Sequence, residues 1–143
     1  MCLILEARSP ASGRPAFENA AREAAAAGLR VVVAPPSWWP WARDRPARAT
    51  ISEDGGCACS LLTDDGDWNA AAWDMRKDVL NSLAKTLEIL STVGPKEMVI
   101  EALWDGDDVR ETVHVSPKAM SEIARVSGLG THTRYVIIHE STK

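Results

Sequence analysis

Several features that mark other classes of protein are missing from this chain of 143 residues. No apolar run approaches the ~20 residues that a membrane-spanning helix needs. The first ten residues have no basic segment ahead of an apolar one, so we expect no secretory signal. Three cysteines, an odd number, are typical of reduced thiols rather than of a disulfide framework. We therefore expect a cytoplasmic protein with no membrane partner.

Complete catalytic and cofactor motifs are missing as well. The sequence contains no Gly-x-Ser-x-Gly, no Walker phosphate-binding loop and no His-Glu-x-x-His. We therefore predict no cofactor and name no catalytic residue. This favours a non-enzymatic protein, while an enzyme remains an open alternative.

The charge of the chain is acidic overall and uneven along its length. The formal net charge is −4, yet the first 50 residues contain seven arginines and no lysine. Nucleic-acid binding needs basic residues clustered on one face to neutralise phosphates. Because the whole chain is acidic, we do not expect nucleic acid as the partner.

Length and apolar patterning predict a single α+β domain over residues 1–143. The hydrophobic content of 45% and the charged content of 25% are those of a globular domain with one core. Strands at 3–5 and 29–33, joined by a helix over 15–28, predict an opening βαβ unit of parallel strands.

Two hairpins are predicted in the rest of the chain, at 49–62 and 98–115. Helices are predicted over 75–93 and 116–128, and a last strand over 131–139. The expected architecture is a mixed, mostly antiparallel sheet of about seven strands with three helices packed mainly on one face.

The leading candidate for a binding surface is the segment Pro35-Pro36-Ser37-Trp38-Trp39-Pro40-Trp41. Proline at this density excludes a helix interior or a central strand, so the segment is expected to be a stiff loop. Tryptophan and arginine are the usual anchors of interfaces. We therefore predict that loop 38–48 binds a second copy in a homodimer or another protein, through Trp38, Trp39, Trp41, Arg43 and Arg45. The alternative is that the indoles fold back over the core.

The second candidate is Cys57-Ala58-Cys59. On a strand, both thiols would point to the same face, where they could support thiol chemistry or bind a metal ion. Two cysteines supply only half of the ligands of a structural zinc site, so we predict no metal site with these residues alone. The simpler interpretation is that both side chains pack in the core.

The third candidate is the acidic group Asp64, Asp65 and Asp67. Carboxylates bind hard divalent cations, so a small divalent-cation-dependent hydrolase is a further alternative, and Asp64 or Asp67 could reach the thiols. The spacing does not match a calcium loop. Aspartates are also common where turns lead into helices, which is the simpler interpretation.

Overall fold

The computed structural model describes residues 3–35, 45–53, 58–61, 75–104, 108–130 and 132–139. Within these ranges, six strands form one open mixed sheet and three α-helices pack on it, which confirms the α+β class. The strands are β1 (Leu3–Ser9), β2 (Arg30–Val33), β3 (Ala47–Ser52), β4 (Met98–Trp104), β5 (Glu111–Val115) and β6 (Thr133–Ile137). The helices are α1 (Arg14–Ala24), α2 (Lys77–Val93) and α3 (Pro117–Ser127).

The strand order β2-β3-β1-β4-β6-β5 corrects the predicted start of the sheet. β1 and β2 run in the same direction, but β3 lies between them and is antiparallel to both. The strands of the predicted βαβ unit are therefore not neighbours. β2 is short and exposes Arg30 and Val32, which suits an edge, whereas β3 brings the buried Ala47, Ala49 and Ile51 beside β1.

The hairpin predicted at 98–115 is also wrong, because its two strands, β4 and β5, are not neighbours in the sheet. β6 lies between these strands, antiparallel to β4 and parallel to β5. β5, α3 and β6 thus form a parallel crossover that the sequence patterns did not predict. β6 buries Tyr135 and Ile137 and gains a partner on each side, whereas β5 exposes Glu111, Thr112 and His114 and suits an edge.

The predicted hairpin at 49–62 is not formed either, which leaves six strands instead of about seven. Its second strand was expected over 57–62, but residues Ala58–Leu61 form a 3-10 helix. Ala58 and Leu61 are buried, so the sequence satisfies the core through a helical turn and not through a strand. β3 pairs with β1 and β2 instead.

The helices follow the local signals in the sequence closely. α2 buries Val79, Leu83, Leu87 and Leu90 on one stripe, as the 3.6-residue period predicts. Ser116 caps α3, and its Oγ accepts a hydrogen bond from the Ala119 amide at 3.1 Å. None of the described helices is both long and apolar enough to cross a membrane.

The two faces of the sheet differ in what covers them. In β1, Leu3, Leu5 and Ala7 belong to the core shared with the helices, and the alternate residues point to the opposite face. Since none of the described helices shares in the residues of this opposite side, we call it the helix-free face. The strand registers place on it the side chains of Ile4, Glu6, Arg8, Arg30, Val32, Arg48, Thr50, Ser52, Val99, Glu101, Leu103, Thr112, His114, Arg134 and Val136.

Candidate functional site

Charged side chains cross the middle of the helix-free face. Glu6 of β1 and Glu101 of β4 are direct partners in the strand register, so their like charges would repel each other. Arg8 relieves this repulsion: its Nε lies 2.5 Å from Glu6 Oε1 and its Nη2 lies 3.7 Å from Glu101 Oε2. The hydrogen bond to Glu6 and the two negative charges raise the pKa of Arg8 above its usual value. One arginine therefore joins two strands and two carboxylates.

The same charged row extends to both neighbouring strands. Arg134 of β6 donates from Nε to Glu101 Oε1 at 2.7 Å, and Arg48 Nε of β3 lies 4.0 Å from Glu6 Oε1. We call this set the charged ladder, and it consists of Arg48, Glu6, Arg8, Glu101 and Arg134. Glu101 is only 3% exposed, and a buried carboxylate is tolerated when opposite charges and hydrogen bonds satisfy it.

The helix-free face is positively charged in an acidic molecule. Its described strand residues include four arginines, the three of the charged ladder and Arg30, against two glutamates, which gives a formal charge of +2. The whole chain carries −4. The arginine side chains of the ladder are between 36% and 52% exposed, so each of them is partly accessible to solvent. Such a face can attract carboxylates in water.

An apolar groove adjoins one end of this face. It encloses about 700 Å³ where β1 and β6 end and β3 and β4 begin. Ligand sites typically have volumes of roughly 300–1,000 Å³. Its lining includes Arg8, Pro10, Pro46, Lys96, Glu97, Val99, Val136, Ile138 and His139.

Most of the predicted interface loop lies outside the described residues. This applies to Trp38, Trp39, Trp41 and Arg43, whose role stays a prediction. Arg45, the last predicted anchor, is exposed at the start of the following described range. Directly after it, Pro46 lines the groove and Arg48 belongs to the charged ladder. The carboxyl end of the predicted loop therefore adjoins both features.

The thiol and metal candidates are only partly described. Cys57, Asp64, Asp65 and Asp67 lie outside the described ranges. Cys59 lies on the 3-10 helix, so the shared strand face predicted for the two cysteines is wrong at this residue. Its Sγ accepts a hydrogen bond from the backbone amide of Leu3 at 3.1 Å. This contact ties the thiol to the start of β1.

The described residues place no metal-binding cluster around Cys59. In those ranges, no three His, Cys, Asp or Glu side chains are close enough to hold a metal ion together. Leu3 and the groove lie at opposite ends of β1, about 20 Å apart for a seven-residue strand. The thiol and the groove are therefore separate features of the molecule.

The sequence patterns did not identify the charged ladder. The usable signal was present: Glu6 and Arg8 alternate with buried residues in β1, and Glu101 does so in β4. Alternation assigns such residues to a wet face but does not say which of them meet. The ladder depends on strand order, because Glu101 and Arg134 are 33 residues apart and meet only when β6 pairs with β4.

The geometry thus defines an α+β protein with an arginine-rich sheet face and an adjoining apolar groove. The chain matches no protein-family model, no curated protein and no solved structure.

Proposed function

We propose that this protein is a non-enzymatic binding module whose helix-free face binds an extended acidic segment of another protein. The observation that supports this proposal is the charge of +2 on that face in a chain of net charge −4. Complementary charge governs partner choice and register, and arginine often dominates binding energy at interfaces.

The size of the face favours a segment over a folded domain. Five inter-strand spacings of roughly 4.8 Å give a width of about 24 Å, and the strands are about 20 Å long. The flat outline of the face is therefore about 500 Å², and an extended chain of about eight residues can cross it from edge to edge. A single extended chain fits this area better than a domain does.

The charge also bears on the homodimer predicted from the sequence. Two copies that met through the same face would bring +2 against +2, because a two-fold interface repeats the same patch. We therefore favour a different protein as the partner. Four other expectations stay predictions that the described residues do not favour further. They are a homodimer through loop 38–48, thiol or metal chemistry at Cys57 and Cys59, a divalent-cation-dependent hydrolase and a cytoplasmic location.

The proposal is tested with a fluorescein-labelled octapeptide of alternating glutamate and threonine. Extended, it spans about 26 Å, close to the width of the sheet. We expect its anisotropy to rise on titration with the purified protein and the affinity to fall with salt, since exposed charges are screened within ~8 Å at physiological ionic strength. The matched lysine-threonine peptide should not bind.

Reversing the charge of one arginine tests whether the acidic peptide binds to the helix-free face. Arg48→Glu should weaken binding about tenfold, a loss of about 1.4 kcal/mol. Arg48 is 52% exposed and stands at the end of the charged ladder, so the Glu101 pairs remain. Arg125→Glu on α3 is the matched control, because it makes the same change in net charge on another side of the molecule.

The result is interpreted together with the oligomeric state from light scattering. Equal binding by Arg48→Glu and Arg125→Glu, or equal binding of the two peptides, would contradict the proposal. A dimer that Arg48→Glu converts to a monomer would replace it with self-association through this face.

A further inference from the structure

The groove at the end of the sheet has an apolar floor that strand pairing fixes in place. Val99 of β4 and Val136 of β6 are register partners on the helix-free face, and both are partly exposed. Ile138 continues beyond β6, and its amide donates to the carbonyl of Val115 at 2.8 Å. The backbone of Ile138 is therefore tied to β5, while its side chain is 48% exposed. Three branched apolar side chains thus reach solvent from backbone that is hydrogen-bonded into the sheet.

Proline residues complete the apolar part of the groove. Pro10 follows β1 and Pro46 precedes β3, and both are exposed and line the groove. Proline carries no backbone amide donor, so these walls offer little hydrogen bonding. An apolar molecular body could displace water here without leaving buried donors unsatisfied.

The polar groups at the rim are mainly basic. Lys96 and His139 are exposed and line the groove, and among the described lining residues Glu97 is the single carboxylate beside them. Arg8 also lines it, but its guanidinium is engaged with Glu6 and Glu101. Lys96 is therefore the cation best placed to meet a ligand charge, with His139 as a second donor at the same rim.

We propose that this groove binds a small apolar acid, that is, a molecule with an aromatic or aliphatic body and one carboxylate or sulfonate. The apolar floor accounts for the body, and the ammonium of Lys96 accounts for the single negative charge. A polyanion such as a nucleotide would need several uncommitted basic groups, and it would meet the carboxylate of Glu97. A cation would meet Lys96. A single anionic group on an apolar body is the chemistry that the described lining satisfies.

Two fluorescent probes that share an aromatic framework separate the acid from the apolar body. Anilinonaphthalene sulfonate carries one negative charge, and phenylnaphthylamine lacks it. We expect the sulfonate to bind with one-to-one stoichiometry and at least fivefold more tightly than the uncharged probe. In methyl NMR spectra, both probes should shift the signals of Val99, Val136 and Ile138 and leave that of Val126, which is 75% exposed on α3, in place.

Two pairs of variants test which residues contact the anionic group of the ligand and which contact its apolar body. Lys96→Glu should weaken the sulfonate at least tenfold and leave the uncharged probe within twofold, with Lys118→Glu on α3 as the matched control. Val136→Asp should weaken both probes at least tenfold, with Val126→Asp as the matched control. Lys118 and Val126 are both exposed on α3, away from the groove lining. Far-ultraviolet circular dichroism checks that each variant is folded.

Each result decides for or against the proposal. Equal affinity for the two probes, or no effect of Lys96→Glu on the sulfonate, would overturn the acid specificity. Methyl shifts outside the groove, or no binding by a folded wild-type protein, would overturn the site itself. The proposal is independent of the acidic-segment function, because Lys96 lines the groove and lies outside the charged ladder.

Discussion

Replacing Glu101 by glutamine tests whether the charged ladder stabilises the sheet. The substitution keeps the shape of a side chain that is 3% exposed and removes the charge that Arg134 and Arg8 contact. A hydrogen bond to a charged group contributes roughly 1.5–3 kcal/mol, and loss of one partner from a buried pair costs roughly 3–5 kcal/mol. Both arginines are more than one third exposed, so water screens the pair and the lower range applies.

One effect partly offsets this loss. Glu101 lies opposite Glu6 in the register, and removing one of two facing like charges recovers roughly 0.2–1 kcal/mol. We therefore expect Glu101→Gln to reduce the free energy of unfolding by about 2 kcal/mol in urea titrations followed by circular dichroism. For a domain of this size, the melting temperature should fall by about 6 °C.

A double-mutant cycle attributes the loss to the ion pair. Arg134→Met keeps most of the apolar stem of the arginine. The double variant with Glu101→Gln should lose about 1 kcal/mol less unfolding free energy than the sum of the two single losses. Glu88→Gln on the exposed side of α2 is the control and should change stability by less than ~0.5 kcal/mol. The reasoning would be refuted if Glu101→Gln resembled this control or if the two single effects were additive.

Three further measurements check the core, a helix cap and a buried phenol. Leu83→Ala, at a fully buried position of α2, should cost roughly 2–5 kcal/mol in urea unfolding, and a loss below about 1 kcal/mol would contradict the packing. Ser116→Ala should cost about 1 kcal/mol because it removes the α3 cap, whereas Ser116→Asp should retain most of the stability; equal losses would count against the cap. Tyr135, the single tyrosine, has its pKa raised by burial although its oxygen accepts the Gly130 amide at 2.8 Å. The folded protein should therefore show a tyrosinate absorbance midpoint above the ordinary value of about 10, which unfolding in urea restores. Because the pKa of Tyr135 is higher in the folded state, the protonated phenol stabilises the fold. This stabilisation is complete below pH ~10 and is lost as the pH rises through the folded pKa. A folded midpoint at or below ~10 would contradict the raised pKa.

Much of the local structure could be predicted from the sequence. Three examples depend only on residues within a few positions of each other: the buried stripe of α2, the cap of α3 at Ser116 and the glycine at 128 that ends α3. Gly28 and Gly128 adopt positive φ angles of 99° and 75° at the ends of their helical segments, where the absence of a side chain makes this conformation accessible. Such signals are local and can be read along the chain.

The candidate site could be predicted only in its parts. The loop 38–48 was predicted as a binding surface from its tryptophans and arginines, and its described end, at Pro46 and Arg48, adjoins the groove and the charged ladder. The groove itself was not predicted, because Val99 and Val136 are ordinary strand residues until their strands pair. Cys59 was assigned to a strand because the Asp54-Gly55-Gly56 turn predicted a hairpin, yet the burial of Ala58 and Leu61 was satisfied by a 3-10 helix.

By itself, the sequence determined the α+β class, the three helices and most strand positions, because each arises from periodicity and capping over short distances. Only the tertiary structure decided that β3 separates β1 from β2 and that β6 separates β4 from β5. Backbone pairing is nearly independent of side-chain identity, so strand order follows from which long-range arrangement buries the most apolar surface. The charged ladder and the groove depend on that order, since each combines residues from strands that are distant in the sequence.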